Sequence, residues 1–132
     1  MTESPAAVPS AAEVRDWAGH AVDDLDGAAV GRVQGLFVDA ESGDASWLIV
    51  RQGRRRGTLV AVPLRDCAAA AERVWVAHQR AVIRSAPVVD PTRPLLREHE
   101  LAIAAHFGIG ERAGRAAEVC GRPEGSITSQ PA

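Results

Sequence analysis

Tyrosine is missing from this 132-residue chain, and three Trp and two Phe leave aromatics at only 4%. Val, Leu, Ile and Ala must therefore fill the interior. Cysteine is nearly absent, with Cys67 and Cys120 showing no CxxC spacing. Two such residues exclude a disulfide framework and read as reduced thiols. An excess of one charge is also lacking, since 15 basic and 17 acidic residues give a net charge of −2. No global field draws in nucleic acid or an acidic membrane. No apolar run nears the roughly 20 residues that span a bilayer. The N-terminus has neither the basic stretch nor the apolar core of a signal peptide. These absences predict a soluble, cytoplasmic protein with no membrane partner. A Gly-x-Ser-x-Gly elbow, a P-loop and a dinucleotide fingerprint are all absent as well. Together with unremarkable carboxylates, this predicts a protein that is not an enzyme and carries no cofactor.

What is present fits one globular domain, with 46% hydrophobic and 24% charged residues. Residues 1–12 are rich in Ala, Pro, Ser and Thr and cannot bury enough apolar area to offset ordering, which predicts a disordered tail. The composition of 111–132 predicts the same. The folded unit is expected over 13–110, with short strands punctuated by turns. A helical turn is expected at 13–17, followed by a strand at 19–22. Asp23-Asp24-Leu25-Asp26-Gly27 forms a turn signal, with Asp bonding its own backbone and Gly supplying positive φ. A long strand over 29–39 follows, with a bulge or bend near Gly31 and Gly35. A hairpin loop over 40–44 leads to a strand at 46–51, a Gly-bracketed basic turn at 52–57 and a strand at 58–63. After a connection over 64–72, two more strands are expected at 73–78 and 81–85.

Trp47-Leu48-Ile49-Val50 and Leu59-Val60-Ala61-Val62 are apolar at both parities, whereas a strand with one wet face alternates. One face is expected to fill an interior, with the other covered by the C-terminal helix or by a second copy of the chain. That helix is predicted at about 94–107, between Thr92-Arg93-Pro94 and the stop at Gly108. Leu96, Ile103 and Phe107 share a stripe, and Leu101 points away from it.

In order and spacing, these segments resemble the PRC-barrel domain family. The opening is Gly19-His20-Ala21-Val22, then Gly27-Ala28-Ala29-Val30-Gly31-Arg32-Val33 and Leu36-Phe37-Val38-Asp39. A turn, Glu41-Ser42-Gly43, a hydrophobic strand from Trp47, Val62-Pro63-Leu64 and Ser85-Ala86-Pro87 follow. Glu98, Glu100 and His106-Phe107-Gly108 match the helical extension of some members, with Phe107 where Tyr is frequent. The likeness covers about residues 15–108. It implies a mainly β fold, a small, strongly bent six-stranded β-barrel with a C-terminal α-helix. It also implies non-catalytic roles. Relatives include the cytoplasmic domain of the photosynthetic reaction centre H subunit and the C-terminal domain of a ribosome maturation factor. The chain has neither the membrane helix of the first nor the additional N-terminal barrel of the second.

Three functions follow as expectations. The first is a protein-binding and assembly module, most simply a homodimer, or one that binds another protein. Trp47, Ile49, Leu101 and Phe107 are its candidate interface residues, because Trp is enriched at hot spots and Leu101 faces outward, with core filling the alternative for Trp47. The second is an RNA- or ribosome-associated adaptor. There Arg51, Arg54, Arg55 and Arg56 would contact phosphate, because the guanidinium fork matches phosphate oxygens. Against it, no aromatic is interleaved to stack a base. The third is a small-ligand or sensory barrel, which a side-chain-filled interior disfavours. No metal is expected. Asp23, Asp24 and Asp26 lack the spacing of a Ca²⁺ loop, and His99 and His106 lie about 10 Å apart along a helix. Cys67 is no nucleophile, since neighbouring Asp66 pushes its thiol pKa up.

Overall fold

The computed structural model describes residues 9–39, 43–53, 57–109 and the backbone of 121–124. In chain order its elements are α1 (Ala11–Arg15), β1 (Ala21–Asp23), β2 (Ala29–Asp39), β3 (Ala45–Gln52) and β4 (Leu59–Pro63). A 3-10 turn at Leu64–Asp66 leads to β5 (Cys67–Ala70), β6 (Arg73–Val76), α2 (Arg80–Arg84), α3 (Arg97–Phe107) and β7 (Gly121–Glu124). The protein is mainly β, as expected. Six strands run in the order β4-β3-β2-β1-β6-β5, and β7 pairs separately with β2. The sheet is mixed, because β1 and β6 pair in parallel, Val22 beside Val74.

The sequence predicts a closed barrel, but this sheet is open. β4 and β5 end the path and do not pair with each other among the described residues. The outer edge of β4 is already taken, since Val60 bridges Val88 and the Val89 N–H donates to the Leu59 carbonyl at 2.9 Å. The sixth strand also differs from the one expected. Residues 81–85 form no strand; Arg80–Arg84 is a helical turn that buries Ile83 and leaves Arg84 exposed. Asp24 captures the Arg80 N–H at 2.8 Å where the turn begins. The missing strand is supplied by Cys67–Ala70, whose alanines carry no strand signal.

β2 is the bent strand its glycines suggest. Its register with β3 shifts between Val33 and Gly35 and again between Phe37 and Val38. Each shift adds an unpaired residue and twists the ladder. At Gly31 the β3 backbone comes so near that any Cβ would collide with the Arg51 carbonyl oxygen. Both faces of the central strands are buried, with Trp47, Leu48, Ile49 and Val50 all at most 1% exposed. The cover comes from the same chain. α1 lies against β2 and β3, and α3 against β4.

Both predicted tails contain structure. Ser10 caps α1, accepting from the Glu13 N–H, while Glu13 accepts from the Ser10 N–H. That reciprocal pair is a capping box, legible as Ser-x-x-Glu. Gly121–Glu124 pairs antiparallel with Leu36–Asp39, so this part of 111–132 adds an edge strand. The remainder of both expected tails, 1–8, 110–120 and 125–132, lies outside the described residues. α3 ends as its sequence predicts, with Gly108 at φ 69° and the Ile109 N–H reaching the Ala104 carbonyl at 3.0 Å. No helix is long and apolar enough to cross a membrane among the described residues.

The β5–β6 hairpin turns on Ala71 and Glu72, both left-handed at φ 51° and 61°. Two such residues make the primed turn that Asn-Gly favours. Replacing Ala71→Asn and Glu72→Gly together should stabilise the fold by about 1–2 kcal/mol. Urea unfolding checks this through a raised midpoint at unchanged slope.

Candidate functional site

Helix α3 is docked by one buried polar contact. Glu100 is 2% exposed, and its Oε2 accepts the Trp47 indole N–H at 3.0 Å. Around this pair Ile103, Ala104 and Phe107 are buried, which sets the helix on the face of β3 that carries Trp47. The helix also leans on residues 78–85. His106 Nε2 lies 2.8 Å from the Val82 carbonyl, and His78 meets the Phe107 ring edge-on at 4.8 Å between centroids. His78 also pairs with Asp66 at 2.7 Å.

The segment 87–96 is held along β4 instead, with Val88 bridging Val60. Between this segment and α3 opens a groove of about 540 Å³. Phe37 and Ile103 line its inner part, both 1% exposed, while Val88 and Leu96 line it at 65% and 40% exposure. Asp90, Arg93 and His99 are its polar groups. Asp90 is held by the Thr92 hydroxyl and N–H, at 2.7 and 2.9 Å, and these bonds lower its pKa. The groove is thus mostly apolar, with both signs of charge on it, and suits an apolar side chain better than a reacting group.

The structure disperses the predicted interface residues. Trp47 and Ile49 are 1% exposed within one chain, and Phe107 is 7% exposed. Within one chain they are core residues. Leu101 is 46% exposed and points outward as expected, but it does not line the groove. Leu96 lies at the groove and not on the buried stripe, because it is the extended residue that precedes α3. Sequence reasoning missed Val88 and the groove. Their signal was Pro87 and Pro94, which bracket the segment and line the groove at its two ends.

Of the basic cluster, Arg51 is half-buried on β3 opposite Arg32, and Arg54, Arg55 and Arg56 lie outside the described residues. A smaller polar cleft of about 440 Å³ lies at the base of that hairpin, between Gln52 and Thr58 on one side and Arg80 and Arg84 on the other. The thiol of Cys67 donates to the Pro63 carbonyl at 3.4 Å, and burial, more than Asp66, pushes its pKa up. Cys120 lies outside the described residues. No three His, Cys, Asp or Glu side chains gather to hold a metal among the described residues. Neither a scan against protein-family models nor a search of curated proteins finds a match.

Asp24 anchors the turn before β2. Its Oδ1 accepts the Asp26 and Ala28 N–H groups at 2.8 and 2.7 Å, and its Oδ2 takes the Arg80 N–H. The Ala28 bond is the main cause that holds its pKa below 3.8. A depressed carboxylate contributes stability above its unfolded pKa and loses it as pH falls toward the folded value. The melting temperature should therefore fall as pH drops below 3.8, and Asp24→Asn should flatten that slope.

The docking contact gives a second expectation. Trp47→Phe leaves the Glu100 carboxyl buried without its donor and should cost about 1–3 kcal/mol beyond the lost ring area. Glu100→Gln keeps an acceptor and should cost less. Denaturant unfolding of both variants separates the hydrogen bond from simple packing.

Proposed function

We propose that this chain is a non-catalytic binding and assembly module of the PRC-barrel type, and that it pairs with a second copy of itself through the groove beside α3. The motif order from Gly19 to Gly108 supports the family reading. The observation that carries the function is the apolar groove with Val88 and Leu96 exposed on it. A large apolar side chain left in water beside an apolar depression marks a contact surface. The groove is also self-complementary in charge. It carries both signs, Asp90 and Arg93, beside the exposed Val88, a mixture that a two-fold pairing of the same surface can match. Leu101, on the other side of α3, would lie outside this contact.

Light scattering at two concentrations tests the reading. The intact chain should show the mass of a dimer at the higher concentration, with an interface above about 1,000 Å². Val88→Glu with Leu96→Glu places charge on two already exposed positions, so it should yield a folded monomer. A wild-type monomer at both concentrations overturns the proposal.

A further inference from the structure

We propose that the polar cleft between α2 and the base of the β3–β4 hairpin is a binding site for a phosphate monoester, a site distinct from the groove. The cleft is lined by Ala29, Val30, Gln52, Gly53, Thr58, Arg80 and Arg84. Arg80 and Arg84 stand four residues apart on one short helix, so their charges lie on the same face. Like charges at that spacing repel, and an anion between them removes the repulsion. Both side chains are exposed. Asp24 faces Arg80 and takes its backbone N–H at 2.8 Å, while the Arg80 guanidinium reaches the Ala29 carbonyl at 3.3 Å. Arg84 has no hydrogen-bonding or ion-pair partner among the described residues.

The opposite wall supplies a third donor. Gln52 Nε2 donates to the Thr58 hydroxyl oxygen at 3.1 Å, which leaves the hydroxyl proton free to point into the cleft. Gln52 also carries the one buried side-chain polar atom without a partner among the described residues, Oε1. Such an atom needs a donor, which phosphoryl oxygens lack and a hydroxyl of the esterified alcohol supplies.

The donor set selects the ligand. Two guanidinium forks and a hydroxyl exceed what a carboxylate's two oxygens can accept. A phosphate monoester offers three terminal oxygens and a charge near −2, which Arg84, free of Asp24, and the Arg80 guanidinium would share. The space of about 440 Å³ exceeds a bare phosphate and leaves room for the alcohol it esterifies.

Amide-resolved NMR titration of the full chain tests this with three probes: inorganic phosphate, adenosine monophosphate, and a single-stranded RNA oligomer without terminal phosphates. Phosphate and the monophosphate should shift the amides of Gln52, Gly53, Thr58, Arg80 and Arg84, and the RNA should not. Arg84→Gln should weaken monophosphate binding at least tenfold while leaving the fold intact by circular dichroism. Absence of shifts with both phosphates, or shifts spread elsewhere on the surface, overturns the proposal. A response to RNA alone overturns it as well, in favour of backbone phosphodiester contact. The oligomeric state enters none of these readouts, so failure here leaves the self-pairing reading untouched.

Discussion

Both cavities described above depend on the double pairing of β2. Along one edge it pairs with β3 from Gly31 to Val38, and along the other with β1 near Gly31 and with β7 from Leu36. One strand must therefore satisfy three partners, and two register shifts let it do so. Its first residues, Ala29 and Val30, line the polar cleft, and Phe37 near its end lines the apolar groove. The two cavities are therefore fixed relative to each other by a single ladder. A slip of one residue would turn every β2 side chain to the opposite face and destroy both.

The docking of α3 sets what lies on the far side of that ladder. A carboxyl in an aliphatic core is expensive unless bonded, and Glu100 has the indole N–H of Trp47 as its partner. The bond contributes direction more than net stability. Purely apolar packing would let the helix slide or turn with small loss. A single polar pair fixes its rotation, and with it the faces that bury Ile103 and Phe107 and leave Leu101 outside. The groove is the gap that remains when a helix so fixed meets a segment stiffened by Pro87 and Pro94.

The mainly β class and the span of β2 were legible because the chain uses strong signals there. Apolar residues at both parities mark doubly covered strands, and the Asp-rich turn before Gly27 names its own hydrogen bonds. The failures have physical causes. β5 is largely alanine, which favours helix and is depleted in strands, so pairing with β6 decides it against its local preference. Arg80–Arg84 reads as a strand because Val82 and Ile83 are β-branched, yet only Ile83 is buried and Asp24 starts a helical turn there. For Trp47 and Ile49 the sequence left the cover open between the C-terminal helix and a second copy, and α1 and α3 cover the sheet from within the chain. Neither cavity was legible, since each is built from segments distant in sequence.

The parallel pairing of β1 with β6 governs how the protein is made. Val22 emerges from the ribosome about fifty residues before Val74, its neighbour in the sheet. At 5–20 residues per second, β1 waits seconds for the strand that shields its outer edge. During that interval β2, β3 and β4 can zip as a local meander, while β1 is paired on one side only. Such long-separation closure places the barrier late and makes folding slow for so short a chain. The nascent chain is most vulnerable to sticking to others just before β6 arrives, and anything that slows synthesis between β1 and β6 lengthens that exposure.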